Sequence, residues 1–244
     1  MPQEPAMSAL RPKHKPRRSF GDDFGGAKGT KPGKGFSVII RSTMNEILTN
    51  DSTLAALVKQ FGPCLLRPSR GNPYEALVAS IIGQQLSGKA ARTIRGRFFA
   101  MYGSETTCPT PQQMLKTSME QFRATGVSGQ KATYLLDLAR HVQEDLLDLK
   151  NIKKLPDEEV IAQLVAVKGI GEWTAHMFLM FHLGRPDVLP TGDLGVRKGM
   201  MMAYNLRKLP TPKRMEQIAR PWRPYRSAGS WYMWEVADAV NPVR

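Results

Sequence analysis

One carboxylate and one glycine turn are the residues best suited to chemistry in this chain. The turn is Lys168-Gly169-Ile170-Gly171, and the carboxylate, Asp193, lies 22 positions after Gly171. Two glycines allow a tight turn and a close approach to a ligand, and the helix expected after them directs unpaired N–H groups at that ligand. The turn therefore predicts a phosphate-binding site, with an ordinary interhelical turn as the alternative. For Asp193 alone the alternative is a helix cap.

Helices must hold both features. An apolar helix is predicted from about Glu172 to Leu183, and Gly184 ends it. Leu189-Pro190-Thr191-Gly192-Asp193 then leads into another helix. With Trp173 and Thr174 at the start of the first helix, the whole pattern resembles the helix-hairpin-helix and Gly/Pro/Asp signature of the DNA glycosylase superfamily. It is most similar to the 3-methyladenine DNA glycosylase II branch, and the resemblance covers most of the chain.

Composition agrees with a nucleic-acid partner. Of 244 residues, 41% are hydrophobic, which is enough for one large domain or two small lobes. Lys and Arg number 35 against 21 Asp and Glu, and the net charge of +14 suits a polyanion. No apolar run is long enough to span a membrane, and no secretion signal is expected. We expect an intracellular, DNA-associated monomer with no membrane contact, in the cytoplasm or nucleoid of a bacterium or the nucleus of a eukaryote.

Metal centres with side-chain ligands are not expected. Cys64 and Cys108 cannot supply the four thiolates of an iron-sulfur cluster or a structural zinc site. The histidines have no metal-ligand spacing and are expected to be packing or surface residues. They are His14, His141, His176 and His182.

The chain divides into a tail and a folded part. Residues 1–36 are rich in basic residues, Gly and Pro, and this composition predicts a disordered basic tail. Such a tail could bind DNA loosely, act as a nuclear address or only improve solubility. Residues 37–244 are predicted to form the helix-hairpin-helix DNA glycosylase domain.

Helical periodicity without strand-like alternation predicts an all-α fold, in two helical lobes with a DNA-binding cleft. A helix from about Met44 to Val58 begins it, and an aromatic helix from Pro221 to Trp234 ends it. Capping signals predict other helix starts. These are at Pro73, Ser87, Thr110, Ser118, Ser128, Pro156 and Thr211. Lys131, on one of these helices, is expected to be a solvated charge or to touch a phosphate.

The turn Gln84-Gln85-Leu86-Ser87 lies between two of these helices. In DNA glycosylases that the chain resembles, the equivalent turn inserts a side chain into the duplex to fill the gap left by an extruded base. The matching residue is Gln85, with Leu86 beside it, and the sequence leaves open which of the two is the DNA wedge. A purely structural turn is the alternative.

The resemblance also implies the reaction. Cleavage of an N-glycosidic bond leaves the sugar close to an oxocarbenium ion, and a fixed carboxylate stabilises that charge and assists a water. Asp193 is implied as this catalytic residue. Relatives that also cut the DNA backbone carry a lysine two positions after the second hairpin glycine, and here that position is Trp173. The resemblance therefore implies a monofunctional glycosylase with no lyase activity.

The implied substrate is double-stranded DNA with alkylated bases such as 3-methyladenine and 7-methylguanine, which carry positive charge and stack on electron-rich rings. Trp234 matches the stacking tryptophan of the family, and Trp173 lies near the pocket in relatives. Met177 stands where a bacterial relative has a pocket tyrosine. Trp222 and Trp231 are interpreted as packing residues.

The resemblance implies that the hairpin binds the DNA backbone. Gly169, Gly171 and Thr174 are expected to bind one phosphate, and Lys168 faces the phosphate side. Relatives often hold a monovalent cation there, and no other cofactor is required. Three alternatives remain: a non-catalytic DNA-binding protein, a glycosylase of this fold for uracil, mismatched thymine or oxidised guanine, and a basic RNA-associated protein.

Overall fold

The computed structural model describes residues 50–69 and 71–240, and no strand occurs in those ranges. This confirms the predicted all-α fold. The α-helices are α1 (Ser52–Phe61), α2 (Pro73–Gly83), α3 (Gly88–Ala100), α4 (Pro111–Leu115), α5 (Met119–Ala124), α6 (Gly129–Gln143), α7 (Asp157–Val165), α8 (Glu172–Phe178), α9 (Leu194–Ala203), α10 (Pro212–Ala219) and α11 (Arg226–Val240). A π-helical turn, Leu179–Leu183, continues α8. None of the helices described is long and apolar enough to cross a membrane.

The predicted basic tail, residues 1–36, and the predicted start of the first helix at Met44 lie outside the described residues. The later part of that predicted helix is α1, which begins at Ser52 after the capping residue Asp51. The Asp51 carboxylate accepts the N–H of Leu54 at 3.0 Å. The boundary between a tail and a domain near residue 36 stays a prediction.

Side-chain caps confirm most helix starts that the sequence predicts. Asn72 accepts the N–H of Tyr74 at 2.8 Å, directly before Pro73 at the start of α2. Such a cap satisfies a backbone donor that has no partner inside the helix. Caps of the same kind are made by Ser87, Thr110, Ser118, Ser128 and Thr211.

The described residues form two compact units. One contains residues 50–66 and 185–240, and we call it the terminal unit. The other contains residues 67–184 apart from position 70, and we call it the central unit. The glycine turn lies in the central unit, whereas Asp193 lies in the terminal unit. The predicted DNA-binding cleft stays a prediction.

The terminal unit is built around a buried tryptophan. Trp222 is fully buried, as its predicted packing role requires. Its indole N–H donates to the Tyr204 hydroxyl at 3.2 Å and, more weakly, to the Asp51 carboxylate at 3.4 Å. The Tyr204 hydroxyl in turn donates to Asp51 at 2.8 Å. The start of α1 is therefore tied to the end of α9 through satisfied polar groups inside an apolar core.

Helices α9 and α11 meet backbone to backbone at Gly199. A Cβ atom added at Gly199 would lie 1.9 Å from the carbonyl oxygen of Met233. Only glycine fits at such a contact, because the neighbouring atom is main chain and cannot swing away. This contact sets the register of α9, which follows Asp193, against α11, which carries Trp234.

The prediction of one aromatic helix from Pro221 to Trp234 was wrong. Arg220–Trp222 forms a 3-10 turn, and α11 begins only at Arg226. Pro224 has no N–H and disfavours the helical conformation in the residue before it, so the helix cannot run through this point. Past the predicted end, α11 continues to Val240.

His182 is a packing residue of the central unit, as predicted. Its ring is 2% exposed and stacks on Phe178 with centroids 4.8 Å apart. Within the part of the chain that the structure describes, neither ring nitrogen has a hydrogen-bond partner. Burial, with a smaller effect of Lys153, lowers the pKa of His182 to about 4. The ring is therefore neutral at physiological pH.

Candidate functional site

Asp193 is the N-cap of α9 and is held by two donors. Its Oδ1 accepts the N–H of Val196 at 2.8 Å and the indole N–H of Trp234 at 2.9 Å. The side chain is 8% exposed. The capping interpretation is correct, and it is compatible with chemistry, because two donors on one oxygen fix the orientation of the carboxylate. The amino end of α9 also favours a negative charge at this position.

Trp234 reaches Asp193 because Gly195 has no side chain. A Cβ atom at Gly195 would lie 2.8 Å from the indole Cδ1 and 3.1 Å from Asp193 Oδ1. The indole therefore lies against the first turn of α9. The structure brings Asp193 and Trp234, two of the predicted site residues, into direct contact.

The segment before Asp193 is fastened to the start of α11. The Arg226 guanidinium donates to Asp187 Oδ1 at 2.7 Å and Oδ2 at 3.0 Å. The Ser227 hydroxyl donates to the Arg185 carbonyl at 2.7 Å and accepts the Val188 N–H at 3.0 Å. Charge-assisted bidentate pairs of this kind add geometric specificity. Both ends of the segment from Arg185 to Asp193 are thus positioned by α11.

The hairpin, residues 167–171, makes the predicted glycine turn. Gly169 has a φ of +80°, and a Cβ atom there would lie 2.1 Å from the ring of Tyr134. Neither the conformation nor the space admits another residue. Within the described ranges, the backbone N–H groups of Gly169 and Gly171 donate to no protein acceptor. Unpaired amides before a helix suit an anion, although Glu172, which is exposed, places an opposing charge at the first helical position.

Residues 84–87 connect α2 to α3, and we call them the wedge turn after the role predicted for them. Gln85 has a φ of +59°, which is uncommon for a residue other than glycine. Its side chain is exposed, and Leu86 is 38% exposed. The Leu86 N–H donates to the Gly83 carbonyl at 3.1 Å. Both predicted wedge candidates are therefore at the surface, on a turn of defined conformation.

The other predicted site residues differ in accessibility. Trp173 is 38% exposed, whereas Met177 is fully buried and Thr174 is 6% exposed. In this conformation Met177 offers no surface to a base, so its predicted pocket role would need a rearrangement. The backbone N–H of Lys168 donates to Asp137 Oδ2 at 2.8 Å and is not available to a phosphate, although the side chain of Lys168 is exposed.

Lys131 does not hold the position expected of a solvated charge. Its ammonium group donates to the carbonyl oxygens of Ile82 and Gln84, each at 2.7 Å. Burial lowers the pKa of Lys131. The expectation of a solvated lysine was wrong, because no local spacing reports a partner 47 residues earlier in the chain. The phosphate contact stays a prediction.

Side-chain clusters suited to a metal are not found in residues 50–69 and 71–240. No group of three or more His, Cys, Asp or Glu lies close enough to hold an ion there. Cys64 is buried and Cys108 is partly buried, and no disulfide bond joins them.

Sequence comparison decides the family. The model of the family described as "HhH-GPD superfamily base excision DNA repair protein" matches residues 78–224, which include the wedge turn, the hairpin and Asp193. The chain belongs to the HhH-GPD superfamily. This confirms the family that the hairpin and the Gly/Pro/Asp segment predict.

Relatives within the HhH-GPD superfamily match most of the chain. It is 36% identical to DNA-3-methyladenine glycosylase 1 of Schizosaccharomyces pombe over 202 residues, 80% of this chain and 87% of the relative. A DNA-3-methyladenine glycosidase structure from Bacillus halodurans matches with a TM-score of 0.71 and 37% identity, covering 78% of this chain and 87% of that one. A 3-methyladenine DNA glycosylase structure from Schizosaccharomyces pombe, in complex with abasic DNA, has a TM-score of 0.67 and 34% identity, with 79% and 95% covered.

Proposed function

We propose that this HhH-GPD protein is a monofunctional DNA glycosylase that excises alkylated bases from duplex DNA in base excision repair and leaves an abasic site. The observation that carries the proposal is the carboxylate of Asp193, held in one orientation by the Val196 amide and the Trp234 indole. The proposal includes action as an intracellular monomer. Relatives named for 3-methyladenine support this substrate class.

Asp193 stabilises the charge that develops on the sugar. As the N-glycosidic bond breaks, the base leaves with the bonding electrons and the deoxyribose becomes cationic. A preoriented carboxylate stabilises this charge without reorganising at the moment of reaction. Water then bonds to the sugar carbon and loses a proton, which Asp193 accepts directly or passes to solvent. An alkylated base that already carries positive charge departs as a neutral molecule and needs no general acid.

Trp234 has two tasks in this proposal. Its N–H group orients Asp193, and its ring face offers a surface on which a cationic base can stack. Trp173 is a second exposed aromatic surface, in the central unit. An aromatic ring face recognises the charge and shape of a base with few base-specific hydrogen bonds, which suits a broad range of alkylated bases.

The hairpin holds the DNA backbone. The amides of Gly169 and Gly171 bind one phosphate, with the Lys168 side chain nearby. A monovalent cation at the hairpin is part of the proposal. The groups that could bind a cation there are main-chain carbonyl oxygens, and hard cations prefer oxygen ligands. Main-chain carbonyl oxygens of the hairpin would hold the cation, which would supply positive charge for the binding of a phosphate.

Alanine variants of Gln85 and Leu86 test which side chain fills the gap that an extruded base leaves in the duplex. Both side chains are exposed, and the left-handed backbone of Gln85 favours it over Leu86 as the wedge. We expect Gln85→Ala to slow release of a paired alkylated base by about tenfold, because extrusion then leaves an unfilled gap. Leu86→Ala is expected to stay within about threefold of wild type. Single-turnover rates on duplex DNA measure both, and wild-type rates for both variants would exclude a wedge here.

Base release tests the function itself. The protein is incubated with methylated duplex DNA, and the free bases are identified by chromatography. We expect 3-methyladenine and 7-methylguanine to be released while the DNA strand stays intact until alkali is added. Borohydride is expected to trap no covalent complex, because Trp173 stands where a lyase has its lysine. A trapped complex would contradict the monofunctional mechanism. If no free base were released from the DNA, the protein would not be a glycosylase.

A further inference from the structure

Helix α6 directs three side chains from one face to two functional loops. Lys131, Tyr134 and Asp137 are spaced three residues apart and so lie along one side of the helix. Lys131 contacts the wedge turn, whereas Tyr134 and Asp137 contact the hairpin. All these residues belong to the central unit. One rigid helix therefore touches both loops that the proposed function assigns to DNA.

At the wedge turn, Lys131 completes the carboxyl end of α2. The last carbonyls of a helix lack partners inside it and carry partial negative charge. The ammonium of Lys131 bonds two of these oxygens, Ile82 and Gln84, each at 2.7 Å. The second bond is made by the residue directly before Gln85. Lys131 thus holds the backbone where the chain enters the left-handed conformation of Gln85.

At the hairpin, Tyr134 and Asp137 fix the glycine turn. The Tyr134 ring fills the space where Gly169 would carry a side chain. Asp137 Oδ2 accepts the Lys168 N–H at 2.8 Å, and its Oδ1 is paired with Arg140 at 2.9 Å. Burial raises the pKa of Asp137, but the bonds from Arg140 and the Lys168 amide outweigh it, so the pKa lies below its usual value. The carboxylate is ionised at neutral pH.

A direct bond joins the two loops. The side-chain amide of Gln84 donates from Nε2 to the Gly169 carbonyl at 2.8 Å across 85 positions of sequence. Gln84 is therefore bonded twice: its carbonyl accepts from Lys131, and its side chain donates to the hairpin. The wedge turn cannot move away from the hairpin without breaking hydrogen bonds at both places.

We propose that Lys131 and Gln84 are positioning residues that fix the wedge turn relative to the phosphate-binding hairpin before DNA arrives. This rests on the proposed glycosylase function. A wedge enters the base stack only if it lies at a set distance from the backbone that the hairpin holds. A preformed turn avoids ordering that segment during base extrusion. Both residues bond to main-chain carbonyls of the protein, so we expect their loss to slow extrusion rather than bond cleavage.

Lys131→Met tests the proposal, because it keeps most of the length of the side chain and removes the donors. We expect release of 7-methylguanine paired with cytosine to fall about thirtyfold, but release opposite an abasic site to fall less than about threefold, since extrusion is easier there. Fluorescence of 2-aminopurine beside the lesion should show less extrusion in the paired duplex. Lys150→Met, at an exposed lysine of the same unit, is the control and is expected to match wild type. Equal losses on both duplexes, or none, would overturn the proposal.

Salt dependence separates positioning from a phosphate contact. If Lys131 contacted a phosphate, its removal would reduce the slope of log affinity against log salt by about one. We expect the slope for undamaged duplex to be unchanged, and a reduced slope would overturn the positioning role. If Lys131→Met lowers thermal stability too far to assay, Gln84→Met, which removes only the donor to Gly169, decides instead and must show the same dependence on pairing.

The proposed function can fail separately from this inference. A wild-type protein that releases no base from either duplex would contradict the glycosylase. The 2-aminopurine signal needs no bond cleavage, so it would still report whether Lys131→Met and Gln84→Met change extrusion. Lys131→Arg, which keeps the charge and several donors, is expected to recover most of the signal, and no recovery at all would count against a hydrogen-bonding role.

Discussion

Asp193→Asn is expected to slow base release by about a thousandfold or more while DNA affinity stays within about threefold of wild type. Asparagine caps a helix nearly as well as aspartate, so the Val196 N–H keeps its acceptor and α9 keeps its start. The substitution removes the negative charge that we propose faces the cationic sugar. Single-turnover release of 7-methylguanine and fluorescence anisotropy with duplex DNA measure the two quantities.

Asp51→Asn is the matched control for this experiment. Asp51 also caps a helix of the terminal unit, and it bonds Tyr204 rather than any predicted site residue. We expect this variant to lose some thermal stability and to keep its rate of base release. If Asp193→Asn retained more than about a tenth of the wild-type rate, Asp193 would not supply the electrostatic stabilisation proposed for it. Another group would then have to stabilise the cationic sugar.

Gly199→Ala is expected to lower the free energy of unfolding by about 3 kcal/mol, because its Cβ would lie 1.9 Å from the Met233 carbonyl oxygen. For a chain of this size that corresponds to a fall in Tm of roughly 6 to 12 °C. The two backbones must separate to admit the methyl group. Because α9 begins after Asp193 and α11 carries Trp234, the hydrogen bond between these two side chains should weaken as well. We therefore expect the rate of base release to fall together with stability.

Gly96→Ala controls for the general effect of replacing a helical glycine. Gly96 lies inside α3, and nothing stands within 4 Å of where its Cβ would be. Alanine there is expected to stabilise the helix by about 0.5 to 1 kcal/mol. Thermal unfolding of both variants, followed by circular dichroism, gives the comparison. Opposite signs are expected, and a neutral Gly199→Ala would mean that α9 and α11 pack less closely than the structure shows.

Local signals in the sequence were sufficient for most of the fold. Thr110 and Ser118, each three residues before a glutamine, begin helices with complete capping boxes. Gly169 and Gly184 have the positive φ that the predicted turn and helix end require. Such features depend on a few neighbouring residues, and so they can be predicted without knowledge of the tertiary structure. The pattern of the hairpin and the segment up to Asp193 was enough to predict the family.

Contacts across long stretches of sequence could not be predicted. The bond between Trp234 and Asp193 spans 41 positions, and that between Gln84 and Gly169 spans 85. Lys131 was misinterpreted for the same reason. No spacing rule says which distant group a side chain meets, because this depends on how helices pack. Burial of Met177 likewise follows from the packing around its helix rather than from its position beside Trp173.

The anchoring of the acid by α11 bears on how the protein is made. Asp187, Val188 and Asp193 all take their positions from groups between Arg226 and Trp234. A ribosome makes the hairpin and the acid well before it makes these groups. A nascent chain therefore contains the hairpin and the Asp193 carboxylate, with its Val196 donor, before the orienting indole of Trp234 exists. The ability to excise a base should therefore arise late in synthesis, once the helix from Arg226 to Val240 has left the ribosome and folded.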